Sequence, residues 1–252
     1  MEESNAVIKN QEERLSDFVE AAAHDLHAPL RKLSVLIERI FTKNVNQFDE
    51  HAKEYITRIE TCLEEMRSLI NGLTDLAKAD AQTSIVDVCD LNLVIKQTLE
   101  SMKEEIEEKR VQVQISSLPV VRGNMVQYKQ LFKNLFENAI KFSDKDIPVK
   151  IDVKTESITG KEKTENNLSP DKKYYKIEIR DNGIGFDQAY AKKIFEPFIR
   201  LHSKSKYEGN GLGLSVSKKI VTNHQGVIYA EGNEKEGSRF VLILPETPDH
   251  TC

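Results

Sequence analysis

The chain has 252 residues, a formal net charge of -5 at pH 7, 39% hydrophobic residues and 31% charged ones. Its length allows one large or two ordinary domains, and its acidity excludes a general attraction to nucleic acid or anionic lipid. Cys62, Cys89 and Cys252 have no metal-ligand spacing and point to a reducing, cytoplasmic setting, while the absence of a long apolar run or a basic-then-apolar N-terminus excludes a membrane segment or secretion signal in this chain.

Residues 1–82 read as a helical hairpin. Apolar residues recur at Leu15, Phe18, Ala22, Leu26, Pro29 or Leu30, Leu33, Ile37 and Ile40, and again at Ile56, Ile59, Leu63, Met66, Ile70, Leu73 and Ala77. Steps of three and four give the 3.5-residue repeat of helices packed at a shallow left-handed angle. The polar stretch Asn44 to Asp49 between them makes the helices antiparallel neighbours. Two helices of roughly 30 residues, about 45 Å each, bury one stripe and leave little core. A homodimeric four-helix bundle through residues 10–80 is therefore expected; a hairpin packed on the second domain is the alternative.

His24 lies two residues from both Ala22 and Leu26, about 200° around the helix from either, so its imidazole points outward. A solvated histidine on a helix is common, and alone it carries no chemistry. Asp25 is adjacent, able to polarise the ring or accept its proton after modest movement. An ordinary imidazole is in large part neutral, and so nucleophilic, near pH 7. Pro29 removes an amide hydrogen bond to residue 25 and crowds the preceding turn. It is either a tolerated kink or a device that loosens the helix below a reactive residue.

Residues 83–90 read as a linker, and 91–248 as a second domain. Helices are expected over 91–108, 125–142 and 214–223, and strands over 111–115, 149–154, 176–180, 226–231 and 239–244. The polar stretch 155–173 reads as a disordered segment or hairpin tip. One helical layer over an antiparallel or mixed sheet makes an α/β two-layer sandwich. It is not a doubly wound fold, because neither a Walker A loop nor a dinucleotide GxGxxG follows a first strand.

Three clusters carry chemistry. Asn134, Glu137, Asn138 and Lys141 share the polar side of a helix whose apolar face is Leu131, Leu135, Ala139 and Phe142. Such a group is either merely solvated or holds a hydrated Mg²⁺ and nucleotide phosphates, which need hard oxygen ligands and a cation. Asp181-Asn182-Gly183-Ile184-Gly185 follows a strand. A turn alone explains the glycines, but a carboxylate there can also accept from the exocyclic amine of adenine, whereas guanine presents a carbonyl. ATP is thus favoured over GTP. Gly209-Asn210-Gly211-Leu212-Gly213-Leu214 opens a helix whose amides can cradle phosphate. Lys204, Ser205, Lys206 and Tyr207, just upstream, are a candidate lid.

Together these segments resemble the sensor histidine kinases of two-component signalling, whose catalytic domain has the GHKL ATP-binding fold. The likeness covers residues 10–245: an H-box at Phe18 to Leu30, an N-box at Asn134 to Lys141, a first glycine box at Asp181 to Gly185, an F-box at Ile194 to Phe198, and a second glycine box at Gly209 to Leu214. Arg200-Leu201-His202 and Val221 to Gly226 are similar to kinases attached to phytochrome-like or PAS sensor modules. The resemblance implies that His24 accepts phosphate and that Asp25 helps deprotonate it. It implies that Asn138 ligates Mg²⁺ with Asn134 near metal and phosphates, that Glu137 orients water or assists proton transfer, and that Lys141 touches phosphate. Asp181 would select adenine, with Gly183, Gly185, Gly209, Gly211, Gly213 and Leu214 shaping the pocket and lid. Phe195 and Phe198 would be packing residues that set the lid. The implied partners are a second copy, a response regulator receiver domain that docks near His24, and an upstream sensor module outside this chain. Readings as a weakly catalytic dimeric scaffold, or as an ATPase of the same fold, are the alternatives. Three departures stand out: His27 replaces the common Arg, Asn210 the frequent Thr of the lid, and Ala28 the Thr or Asn of kinases that also dephosphorylate. The last puts a phosphatase activity in doubt.

Overall fold

The computed structural model describes residues 2–44, 48–81, 87–144, 147–201, 207, 209–234 and 236–246, with side chains for all of these except 2–18, 43, 44, 80 and 81. The chain divides into two units, Met1–Ala81 and Gln82–Cys252.

The first unit is a hairpin of α1 (Glu2–Asn44) and α2 (Glu50–Ala81). Asp49 opens α2 by accepting the Ala52 amide at 2.7 Å, which satisfies one of the donors a helix start leaves over. Residues 45–47 of the expected turn lie outside the described residues. The register is held by Arg67 Nη2 donating to Ser34 Oγ at 2.7 Å and by a 3.2 Å ion pair between Lys78 and Glu20. Helix α1 continues through Pro29, flanked by the buried Ala23 and Leu30. Packing there outweighs the missing amide.

The seam differs from the expected one. Within one chain α1 turns Ala23, Leu30 and Ile37 inward, with His27, Ser34 and Phe41 half-buried beside them, while α2 turns Ile56, Leu63, Ile70 and Ala77 inward. The rest of the heptad series, Leu26, Leu33, Ile40, Ile59, Met66 and Leu73, is exposed. One 3.5-residue pattern thus encodes two stripes, of which the hairpin uses one.

The second unit begins at β1 (Asp87–Asp90), inside the stretch expected to be linker; it pairs antiparallel with β3 (Val120–Gly123). Asp90 caps α3 (Leu91–Ser101) by accepting the Asn92 amide. The single helix expected over 91–108 is broken: Met102 turns back to Leu99 O, and α4 (Lys103–Glu108) follows as a separate turn. Then come β2 (Gln112–Ile115), α5 (Met125–Lys141), β4 (Lys150–Ser157), α6 (Gly160–Glu165), β5 (Tyr174–Asp181), α7 (Gly213–Asn223), β6 (Val227–Asn233) and β7 (Gly237–Pro245).

Strands β2-β4-β5-β7-β6 form one sheet, parallel between β2 and β4 and antiparallel elsewhere. Cross-strand register places Ile151, Val153, Ile177, Ile179, Phe240, Leu242 and Leu244 on one buried face. Helices α3, α5 and α7 pack side by side, with Leu131, Phe132, Leu135, Phe136, Val216 and Ile220 buried.

The stretch 155–173 is folded rather than disordered: beyond the end of β4 it forms the tip of the antiparallel β4–β5 hairpin, as one of the two readings expected, and it carries α6. Thr159 and Glu162 form a reciprocal capping box that starts α6, and Thr159 and then Lys176 hold the Glu162 carboxyl down to about 2. Ile158 and Leu168 pack on Tyr174, Val241 and Ile243, and Lys176 bonds Glu156 and Glu162 at 2.9 and 3.0 Å.

Phe132 has no solvent exposure. Phe132→Ala should lower unfolding stability by about 3–5 kcal/mol through lost burial and the cavity left behind. Chemical denaturation of the full chain checks this, and a loss below about 1 kcal/mol would show that α5 does not carry the core.

Candidate functional site

His24 stands fully in solvent, and its Nδ1 lies 3.3 Å from Asp25 Oδ1, both side chains 86% exposed. The contact needs none of the movement expected. A carboxylate only accepts hydrogen bonds, so a neutral ring making this contact would carry its proton on Nδ1 and keep the lone pair on Nε2. That leaves an outward-facing nucleophile.

In the second unit the end of β5, the end of α5 and the start of α7 carry the other predicted residues. The β5 alternation Ile177, Ile179, Asp181 continues onto the buried face, so the carboxylate of Asp181 is only 7% exposed. Its Oδ1 accepts the Gly183 amide at 2.8 Å and the Ser238 amide at 3.1 Å. Burial pushes its pKa up to about 6, against the opposing pull of the Gly183 and Ser238 hydrogen bonds. Gly185 and Gly237 have φ of 64° and 97°, and a side chain on either would run into neighbouring carbonyls, those of Asn233 and Asp181 respectively. The Ile184 amide donates to Phe142 O at 2.9 Å, which joins this loop to the end of α5.

Asn134 is buried and engaged on both sides: its Oδ1 accepts from Gln130 Nε2 at 2.9 Å, and its Nδ2 donates to Gly213 O at 3.0 Å. It ties α5 to the start of α7. Asn138, one turn on, is half-buried, and its amide makes no side-chain hydrogen bond among the described residues. Glu137 is also half-buried. Its ion-pair partner is Lys133 at 3.6 Å, and burial pushes its carboxyl up while Lys133 opposes the shift. The Lys141 ammonium lies beside Gly209 and 4.4 Å from the centroid of Phe142, against which Tyr207 also packs.

No side chain caps the start of α7, so the amides after Leu212 are available to an anion. Gly213 and Leu214 lie in that first turn. Gly211 O accepts the Phe198 amide, and Asn210 Oδ1 accepts the Leu212 amide. Phe195 is buried edge-on against Phe240, but Phe198, with a backbone φ of 65°, is exposed, unlike the packing residue expected. Lys204, Ser205 and Lys206 lie outside the described residues.

Sequence reasoning missed Ser238, Gly237 and Gln130, and named Asn182 without a role. Asn182 ties the loop down by accepting the Lys150 amide and donating to Pro148 O. The available signal was the period-two pattern of β5, which puts a carboxylate where an apolar residue belongs. A groove of about 760 Å³ between α3, α4 and β2 contains none of these residues.

Residues 123–248 match the family model described as histidine kinase-, DNA gyrase B-, and HSP90-like ATPase, and residues 14–82 match that of the His Kinase A (phospho-acceptor) domain. The phytochrome-like protein Cph1 of Synechocystis sp. is 33% identical over 97% of this chain and 30% of its own length. The sensor protein kinase WalK of Staphylococcus haemolyticus is 29% identical over 91% of the chain and 36% of its own length. The chain thus spans about a third of the curated relatives it matches. Among solved structures, full-length ShkA in complex with AMPPNP shares the fold with a TM-score of 0.64 at 18% identity, covering 92% of this chain and 46% of that one. The catalytic domain of histidine kinase ThkA has a TM-score of 0.51 at 24% identity over 65% of this chain and 99% of that one. Among the described residues no helix is long and apolar enough to cross a membrane.

Asp181 gives a testable pH dependence. If its carboxylate accepts from adenine, ATP affinity should fall as pH drops through about 6, read by calorimetry. Asp181→Asn should weaken ATP about ten- to hundredfold. Because the folded pKa lies above the ordinary 3.8, the ionised group costs stability above pH 6, and that cost is relieved as pH falls. The Asn variant should therefore melt no lower than wild type at pH 7.5. Unchanged ATP affinity would contradict the role.

Proposed function

Because this chain belongs to the sensor histidine kinases, joining a phospho-acceptor domain to an ATPase-like domain, we propose that it uses ATP to phosphorylate His24 and passes the phosphoryl group to an aspartate of a separate response regulator. The supporting observation is the geometry at His24: Nδ1 lies 3.3 Å from Asp25 Oδ1 on an exposed side chain, so with the proton on Nδ1 the Nε2 lone pair is open to attack. No base is then needed at the attacking atom. A bond forms between Nε2 and the γ-phosphorus as the bond from that phosphorus to the ADP oxygen breaks, and the imidazolium left behind is balanced by Asp25. Phosphoryl transfer has a loose transition state, so alignment and charge do most of the work.

In the second unit Asp181 accepts from the adenine amine, which favours ATP over GTP. Lys141 and the uncapped first turn of α7, at Gly213 and Leu214, meet the phosphates. Gly183, Gly185, Gly209 and Gly211 let backbone approach the nucleotide. Asn134 acts by holding Gly213, and Glu137, with its raised pKa, assists proton transfer or orients water. Asn138 fits a Mg²⁺ ligand, a half-buried hard oxygen without another bond; the ion supplies neutralisation of phosphate charge.

The exposed stripe of Leu26, Leu33, Ile40, Ile59, Met66 and Leu73 supports a homodimeric four-helix bundle, since a second copy would bury it. The receiver domain docks near His24, an upstream sensor module supplies the input, and the chain works in the cytoplasm. Ala28, one turn after His24, argues against a phosphatase reaction.

With labelled ATP, wild type should acquire acid-labile phosphate. His24→Ala should acquire none while still binding ATP, and Asn138→Ala should lose Mg²⁺-dependent labelling; acid-stable label on Ser or Thr would reject the assignment. Met66→Glu, which places a charge in the stripe, should shift sedimentation from dimer toward monomer. A monomeric wild type would reject the bundle.

A further inference from the structure

Helices α5 and α7 are tied together twice, and only one tie involves a residue of the proposed nucleotide site. At the start of α7, Asn134 Nδ2 holds Gly213 O at 3.0 Å. At its other end, His224 Nε2 accepts the backbone amide of Asn124 at 3.0 Å. The ties are about ten residues apart along both antiparallel helices, or roughly 15 Å. One tie fixes a point, whereas two fix the rotation and register of α7 on α5.

The distal tie sits in a built socket. Asn124 is the N-cap of α5: its Oδ1 accepts the Val126 and Gln127 amides, and its own amide reaches His224. His224 is the C-cap of α7, and its Nδ1 lies 2.7 Å from Ile220 O. A carbonyl beside Nδ1 and an amide donor at Nε2 leave one arrangement, a neutral ring protonated on Nδ1. Burial lowers the His224 pKa and keeps the ring neutral. The ring packs on fully buried Tyr128, centroids 4.5 Å apart, and Tyr128 OH donates to Arg122 O. A side chain at Gly123 would collide with both rings, so the end of β3 also closes the socket.

We propose that His224 is a positioning residue for the nucleotide site: by fixing the far end of α7, it holds the Gly213 turn in register with Asn134 and Asn138. This rests on the nucleotide reading above. Losing the tie leaves α7 anchored at one end, so the uncapped amides of its first turn no longer keep a fixed distance from the asparagines of α5.

Two measurements on the full chain test it. Nitrogen-15 spectroscopy at pH 7 should find His224 neutral with the proton on Nδ1 and coupled across a hydrogen bond to the Asn124 amide; the other tautomer, or no coupling, would overturn the tie. Calorimetry with Mg²⁺ and AMPPNP, a non-hydrolysable ATP analogue, should show His224→Gln, which keeps an acceptor, within about twofold of wild type. His224→Leu should bind about fivefold more weakly or worse, the size of one lost hydrogen bond. Equal loss in both variants, or none in the Leu variant, would overturn the positioning role. If wild type binds no AMPPNP, the nucleotide reading itself fails. Amide exchange at Gly213 to Ser215 then decides the clamp: faster exchange in His224→Leu supports it, and unchanged exchange rejects it.

Discussion

The second unit is organised around one buried carboxylate. Asp181 occupies an inward position of β5 after Ile177 and Ile179, where burial alone opposes its charge. Two amides, from Gly183 in the loop after β5 and from Ser238 at the start of β7, offset part of that cost. The crowding at Gly237 and Gly185 follows from it, since the backbones of β5, β7 and the intervening loops must close around the carboxylate. The bond from Ile184 to Phe142 O then fixes the end of α5 to the same loop. A carboxylate this costly to bury in a sheet interior marks a candidate functional group.

Helices α5 and α7 extend that constraint across the helical layer. The polar residues of α5 divide by direction: Asn134 faces Gly213, Lys141 faces Gly209, and Glu137 faces Lys133. The first unit is built differently, with an interior of small and branched side chains and an exposed second stripe. Its chemistry is concentrated at His24 and Asp25, held by a helix that runs through Pro29.

Long periodic elements were legible in the sequence. The heptads of α1 and α2, the amphipathic α5 and the alternating β5 and β7 were read directly, because their side-chain period is set by local geometry. The division of one heptad series into an inner and an outer stripe was not, since both have the same period. Strands β1 and β3 were not expected: β1 falls in the stretch read as linker, and the two pair with each other across the whole of α3, α4 and β2. Helix α6 was lost to a polar composition, although Thr159 and Glu162 stand at the spacing of a capping box. Of the site, the asparagines, glycines, His24 and Asp181 were visible as residue types. That Asn134 serves as a brace, that Phe198 faces solvent, and that Gly237 and Ser238 complete the carboxylate's surroundings depends on contacts between distant segments.

The proposed mechanism requires Asp25 to hold the His24 proton on Nδ1 and leave Nε2 to attack ATP. Nuclear magnetic resonance of the phosphorylated full chain, with nitrogen-15 histidine, identifies the ring nitrogen bonded to phosphorus. Phosphorus on Nε2 of His24 is the expected result. Phosphorus on Nδ1, or on any other side chain, would contradict it.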